Sequence, residues 1–214
     1  MKRQYVLGIT TMIVFVTMYI IFGFFKIGSV DIDYYHDLSK VPSHFVDHFP
    51  RKLMPNTSEI IISDKLESQC IYYMLFVYNN IEIKQLKEIF SEKSISVYNS
   101  SDYDLITIKD KGSMRWGKQK KIYYDSIVIN NQHYFPIPYF SGHRDIFGVD
   151  SIYSNTPSGL SKDFTIYVID AKPGVYLDGI SPVDYLPKGW EVGYSKGVCI
   201  SEKKNTVIYW FVVW

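Results

Sequence analysis

The chain of 214 residues has only two cysteines, Cys70 and Cys199, and they stand far apart in the sequence. Neither a C-x-x-C redox pair nor a cysteine spacing typical of metal sites is present. Each cysteine lies in an apolar run, where a free thiol packs as a small buried side chain. The alternative is a single disulfide that closes a long loop outside the cytoplasm. Folds held together by several disulfides are therefore excluded.

The sequence also lacks a marked excess of charge, low-complexity tracts and internal repeats. Its net charge is +1, and all 22 acidic residues follow residue 26, where Lys and Arg are almost as numerous. This near balance gives no electrostatic reason to expect nucleic acid as a partner. The composition argues equally against a disordered chain and against a solenoid.

One long apolar run is present, from Tyr5 to Phe25, and it contains no charged residue. A helix of about 20 residues spans the roughly 30 Å hydrocarbon core of a bilayer. Lys2 and Arg3 precede the run, which favours a cytoplasmic N-terminus. A cleavable signal peptide has a shorter run and small residues before the cut, whereas Phe24 and Phe25 are bulky. We therefore predict an uncleaved, membrane-spanning signal anchor.

The predicted organisation follows from this anchor. Residues 1–4 are cytoplasmic, 5–25 span the membrane, 26–41 form a juxtamembrane linker, and 42–214 form one extracytoplasmic domain. Aromatic residues make up 17% of the chain, and together with abundant Ile and Val they favour strands. We predict the α+β class, with one N-terminal transmembrane helix and then a mainly antiparallel sheet with one or two short helices.

Two short helices are predicted in this domain. Residues 81–92 place apolar side chains on one helical stripe and charged ones mostly elsewhere. The second helix covers HFVDHF (44–49), where Ser43 is the predicted N-cap and Pro50 ends the helix.

The strands are predicted from apolar runs of strand length that end in turn residues. CIYYMLFVY (70–78) reads as a central strand buried on both faces. The turn Asn130-Asn131 predicts a hairpin, because Asn tolerates positive φ, and the turn EKKN (202–205) predicts a C-terminal hairpin. The other predicted strands are EIIIS (59–63), SISVY (94–98), DYDLITI (102–108), KIYYDSIVI (121–129), QHYFPI (132–137), FTIYVID (164–170, stopped by AKPG), GVCIS (197–201) and TVIYWFVVW (206–214).

A basic segment, KDKGSMRWGKQKK (109–121), is the first candidate binding site. Basic charge around an aromatic ring suits anionic or partner surfaces, and a solvated loop between strands is the alternative. The residues predicted to bind are Arg115, Trp116, Lys118, Lys120 and Lys121.

A glycine-rich segment, PKGWEVGYSKG (187–197), is the second candidate. Trp190 and Tyr194 could stack on a ligand if they are exposed. The alternative is that both rings pack against the sheet.

Histidines offer two weaker candidates. His44 and His48 stand one helical turn apart and could share a metal, with Asp47 between them, but the HExxH motif is absent and packing is the alternative. SGHRDIFG (141–148) contains His143, and Ser158 is available as a nucleophile, yet no G-x-S-x-G elbow surrounds it. No metal and no cofactor are predicted.

These observations predict a single-pass membrane protein whose extracytoplasmic domain binds or scaffolds a partner protein at the cell envelope. One alternative is an envelope hydrolase that uses His143 or a His44/His48 metal site. Another is an immunity or assembly factor that acts through an exposed apolar patch. The membrane, through Tyr5 to Phe25, is a predicted partner, and nucleic acid is not.

Overall fold

The computed structural model describes residues 38–39, 41–51, 60–62, 70–108, 126–140 and 156–214. The chain divides into two compact units, residues 1–46 and residues 47–214. In the described residues of the first unit, helix α1 (Ser43–Val46) forms one turn and buries Phe45. The longer helix predicted over 44–49 is wrong, because residues 47 and 48 lie in a turn. Pro50 disfavours helical conformation in the residue before it.

The predicted anchor from Tyr5 to Phe25 lies outside the described residues. Among the ranges given above, none of the helices has the length and apolar character needed to cross a bilayer.

In the second unit, the described residues form a six-stranded sheet with the order β1-β2-β10-β9-β8-β3, and all its pairs are antiparallel. A parallel pair, β4 with β7, and a hairpin, β5 with β6, complete the strands. The strands are β1 (Ile60–Ile62), β2 (Cys70–Val77), β3 (Ser96–Asn99), β4 (Thr107–Ile108), β5 (Val128–Ile129), β6 (Gln132–His133), β7 (Ile137–Pro138), β8 (Thr165–Pro173), β9 (Gly193–Ser201) and β10 (Thr206–Val213). The predicted α+β class with a mainly antiparallel sheet is confirmed.

Helix α2 (Asn80–Lys93) confirms the helix predicted over 81–92. Asn79 caps it, since its side chain accepts the N–H groups of Ile81 and Glu82, and the Glu82 carboxylate accepts the N–H of Asn79. This reciprocal arrangement satisfies donors that a helix start leaves free. Ile83 and Phe90 are buried, and the Phe90 ring packs on Tyr209 of β10.

Asparagine turns close both predicted hairpins. Asn130 and Asn131 have φ of 50° and 65°, and Asn205 between β9 and β10 has φ of 52°. Asn tolerates this left-handed region better than most residues do. The β5–β6 and β9–β10 hairpins are thereby confirmed within the described residues.

Several predicted strand boundaries are wrong: for example, the strand predicted over 132–137 splits into β6 and β7, and the strand predicted over 197–201 begins at Gly193. The strand predicted over 102–108 shrinks to β4, because the side chains of Asn99 and Asp102 accept backbone N–H groups two residues on. Such local bonds compete with strand pairing. The strand predicted to stop at residue 170 continues to Pro173, which pairs with Gly193 of β9.

The strand register rules out the disulfide alternative. Cys70 lies opposite Val213, and Cys199 lies opposite Ile208, on the two sides of β10. Five residues of strand separate these positions by roughly 17 Å, whereas a disulfide requires Cα atoms within about 7 Å. Cys199 is a buried free thiol.

Two tryptophans of the C-terminal segment pack over two glycines of β9. Trp210 pairs with Gly197, and Trp214 exchanges backbone hydrogen bonds with Gly193. A Cβ atom on Gly197 would lie 2.1 Å from the Tyr167 carbonyl oxygen and 2.7 Å from the Trp210 ring. Both indoles belong to the main core, on the sheet face opposite α2. The largest fully buried members of this core are Trp210, Trp214, Phe164, Ile106, Ile108, Ile137 and Leu160.

Candidate functional site

The residues predicted to bind in the basic segment lie outside the described residues. They are Arg115, Trp116, Lys118, Lys120 and Lys121. His143 also lies outside them, whereas Ser158 is described. The Ser158 hydroxyl is buried and donates to the Ser100 carbonyl oxygen at 2.7 Å. The binding role of the basic segment and the catalytic role of His143 stay predictions.

Trp190 is half-buried beside the core. Its ring stacks on Trp214 with a centroid separation of 6.4 Å, and it also contacts Phe135. Its carbonyl oxygen accepts the Trp214 indole N–H at 2.8 Å. Trp190 therefore supports the end of β10 through both its ring and its backbone.

Tyr194 is buried at the start of β9. Its hydroxyl donates to Asp170 Oδ2 at 2.5 Å, and the Tyr176 ring meets its own ring edge to face. Burial, followed by this bond to Asp170, raises the pKa of the Tyr194 phenol. Tyr194 stays neutral at physiological pH and acts here as a hydrogen-bond donor.

Lys196 of β9 is a charged residue whose side chain is buried. It is 5% exposed, and its Nζ donates to Asp47 Oδ1 at 2.7 Å. The Asp47 side chain is 59% exposed, so water still solvates this carboxylate. The Lys196 ammonium, through its hydrogen bond and its charge, holds the pKa of Asp47 well below its usual value.

His48 contacts the sheet through its ring. Its Nε2 lies 3.1 Å from the carbonyl oxygens of both Gly197 and Trp210. Since carbonyl oxygens only accept, Nε2 carries the proton and donates. The other nitrogen, Nδ1, is buried without a hydrogen-bond partner and lies 3.7 Å from Asp47 Oδ1. Burial lowers the pKa of His48, which is therefore neutral at physiological pH.

The structure thus brings together two segments that the sequence analysis considered separately. Asp47 and His48 come from the histidine pair segment, and Tyr194 and Lys196 come from the glycine-rich segment. With Asp170 of β8 they form a group that we term the charge cluster. Lys196 and Asp170 were not predicted as site residues. The one available signal was that Lys196 is the only charge in the otherwise uncharged strand GYSKGVCIS.

The charge cluster is poorly suited to hold a metal. Lys196 already places a cation against the Asp47 carboxylate, and the His48 Nε2 is directed at two carbonyl oxygens. In the described part of the chain, no group of three or more His, Cys, Asp or Glu side chains could bind a metal ion. His44, the other member of the predicted pair, lies in the first unit.

A second feature is an apolar strip along strand β3. Ile89 of α2, Ile95 just before β3 and Val97 of β3 are 43%, 50% and 42% exposed. We term these three residues the apolar edge, because β3 is the last strand on its side of the described sheet. Aliphatic side chains at this level of exposure, next to a sheet edge, are a feature of surfaces that pair with other chains.

Val97 points to the sheet face opposite the core. The hydroxyls of Ser96 and Tyr98 both donate to the His133 carbonyl oxygen, so Val97 between them points to the opposite face. Helix α2 covers that opposite face, because its Phe90 ring packs on Tyr209 rather than on the core that contains Tyr98.

Lys87 forms an ion pair with Glu202 in the β9–β10 turn. Ile89 lies about 160° around the helix from Lys87, on the opposite flank of α2.

Among the described residues, the outward-pointing backbone groups of β3 have no partner strand. Ser100 donates its N–H to Phe164, which precedes β8, and backbone bonds alternate along an antiparallel strand. Ser96 and Tyr98 therefore bond to β8, while the N–H and C=O of Val97 point away from it. An added strand would have a backbone donor, a backbone acceptor and apolar side chains to contact at this edge.

A charged groove of about 440 Å³ lies between α2 and the β9–β10 turn. Its lining residues carry both positive and negative charges, and the groove is open to solvent. It is therefore better suited to hold water than to enclose a small ligand. The lining residues are Lys84, Lys87, Glu88, Ser91, Glu92 and Glu202.

Comparison of the chain with protein-family models, with curated proteins and with solved structures yields no match in any of the three.

Proposed function

We propose that the chain is a single-pass membrane protein whose extracytoplasmic α+β domain binds a partner protein through the apolar edge. The anchor would be the segment from Tyr5 to Phe25, with a cytoplasmic N-terminus. Tethering to the membrane raises the effective concentration of the domain near other envelope proteins without adding contacts.

The observation that supports binding is the apolar edge itself. Val97 and the nearby Ile95 are exposed beside backbone groups of β3 that have no partner in the described ranges, an arrangement that suits addition of an extended segment as a further strand. Lys93 precedes the edge, and Asp102 and Asp104 follow it. The partner segment is therefore expected to be apolar on one face, with an acidic residue near Lys93 and a basic residue near the two aspartates.

The proposal does not depend on the other predicted binding residues. Trp190 and Tyr194 contact the core and the charge cluster, and their role toward a ligand stays a prediction. The basic segment, 109–121, could add a second contact. No observation in the described ranges favours the hydrolase alternative, since His48 faces two carbonyl oxygens and His143 lies outside those ranges.

Site-specific photo-crosslinking tests the apolar edge. A crosslinking side chain at position 97 in the full-length chain, in cells, is expected to capture one envelope protein. Position 128 on β5 is the matched control, because Val128 is 43% exposed and Val97 is 42% exposed. Binding of the purified partner should then fall at least tenfold in Val97→Lys and remain unchanged in Val128→Lys, since a lysine at an edge opposes strand addition.

Two results would count against this function. Capture of the same proteins from positions 97 and 128 would show that the edge is not selective. Partner binding that survives Val97→Lys would place the contact elsewhere. Capture of a second copy of the chain would instead show that the edge joins two copies.

A further inference from the structure

The segment from Asp47 to Phe49 lies against the sheet through aromatic contacts. Phe49 is buried, and its ring packs on Tyr209 at 5.8 Å and on Phe211 at 6.4 Å. These contacts remove apolar surface from water and stabilise the docked segment.

The His48 ring adds a polar link to the same segment. Gly197 and Trp210 lie opposite each other on β9 and β10, so one imidazole N–H bridges two central strands. The side chain is only 5% exposed. This link persists while Nε2 donates and Nδ1 stays unprotonated, because a neutral ring needs no buried counter-ion.

The charges around the ring do not favour a second proton. The Asp47 carboxylate faces the His48 ring from the same segment, and the Lys196 ammonium faces the ring from β9. Tyr209 of β10 contributes a ring at 6.4 Å, and Tyr194 and Asp170 lie beyond Lys196. A proton on Nδ1 would place two cations in a buried space next to one carboxylate, which Lys196 already engages at 2.7 Å.

We propose that His48 is an acid-released latch, in which protonation of Nδ1 undocks the segment from Asp47 to Phe49 from strands β9 and β10. Undocking exchanges a desolvated charge for a hydrated imidazolium. It also uncovers the ring surfaces of Tyr209 and Phe211 that Phe49 covers. The latch would therefore present an aromatic surface at acidic pH, separate from the apolar edge.

The direction of the pH effect follows from linkage. Because burial lowers the pKa of His48 in the docked state, protons bind preferentially to the undocked state. Docking is fully stable above the ordinary histidine pKa of about 6.5 and weakens as the pH falls below it. At pH 5, docking would weaken on the order of 30-fold if the docked ring took up no proton.

Two measurements on the full-length chain, purified in detergent, test the latch. Amide hydrogen exchange of the peptide that contains residues 47–49, corrected for intrinsic rate, should speed up at least tenfold between pH 7.5 and pH 5. NMR titration should give His48 a pKa below the ordinary histidine value of about 6.5. His133 is exposed. His48→Gln keeps an N–H donor without a titrating group, and it should abolish the pH dependence. His133→Gln, the matched control, should retain it.

Three results would overturn the latch. The first is unchanged exchange of residues 47–49 at a pH where NMR shows His48 protonated. The second is an equal loss of protection at acidic pH in His48→Gln and in the unmodified chain. The third, which decides if His48→Gln does not fold, is a His48 pKa in the unmodified chain at or above the ordinary histidine value of about 6.5.

Discussion

At the scale of single residues, Gly197 combines two roles in one position. Its missing Cβ gives space to the Trp210 ring, and its carbonyl oxygen accepts the His48 imidazole N–H. Glycine in a strand interior often marks such a close approach of other groups. Gly197 therefore allows packing on the core face of the sheet and accepts a hydrogen bond on the opposite face.

Gly197→Ala is expected to lower the free energy of unfolding by about 3 kcal/mol, because overpacking a close-packed interior forces backbone shifts. The new Cβ would meet the Tyr167 carbonyl oxygen at 2.1 Å. Urea denaturation followed by tryptophan fluorescence measures the change.

Gly193→Ala provides a graded comparison. The nearest atom to its Cβ would be the Lys172 carbonyl oxygen at 2.8 Å, so the effect should be smaller. Trp210→Leu added to Gly197→Ala should not restore stability, since the closest clash is with backbone. An unchanged denaturation midpoint in Gly197→Ala would show that the close contact at Tyr167 is absent.

The sequence could not reveal the charge cluster. Asp47 and Lys196 are 149 residues apart, and no local pattern indicates that a lysine will meet an aspartate at that distance. The unusual position of Lys196 was visible in the sequence, because this lysine lies in an apolar strand. What was missing was the strand register that places β9 beneath the segment from Asp47 to Phe49.

At the scale of elements, α2 begins at a complete capping box. Asn79 accepts two backbone N–H groups, and Glu82 returns a bond to the Asn79 N–H. Asn79→Ala is expected to lower the free energy of unfolding by about 1 kcal/mol, as at other helix N-caps. Asn79→Ser should retain most of the stability, because serine also caps helices. Equal stability of the alanine and serine variants would contradict the capping role.

Elements with local signals were predictable, and elements set by distant contacts were not. The period of apolar residues located α2, and asparagine turns located the β5–β6 and β9–β10 hairpins. The helix predicted over 44–49 failed because Asp47, His48 and Phe49 turn toward the sheet. Likewise, nothing local places β10 between β2 and β9.

At the scale of the whole molecule, the proposed anchor determines which solvent the described surfaces meet. The full-length chain is expected to remain in the membrane pellet after alkaline carbonate extraction, because a span from Tyr5 to Phe25 would bury about 20 apolar residues in lipid. A chain that lacks residues 1–26 should be released. Protease added to the outer side should cleave the domain while the membrane is intact. Carbonate release of the full-length chain would contradict the anchor.

The order of strands has a consequence for synthesis on the ribosome. Strand β10 lies between β2 and β9, although it follows both in the sequence. During translation, β1 with β2 and β3 with β8 and β9 can each pair, but they cannot join until residues 206–213 emerge. Sheets with such distant pairings fold slowly. Nascent chains stalled before residue 206 should therefore remain protease-sensitive and dependent on chaperones until the last strand leaves the exit tunnel.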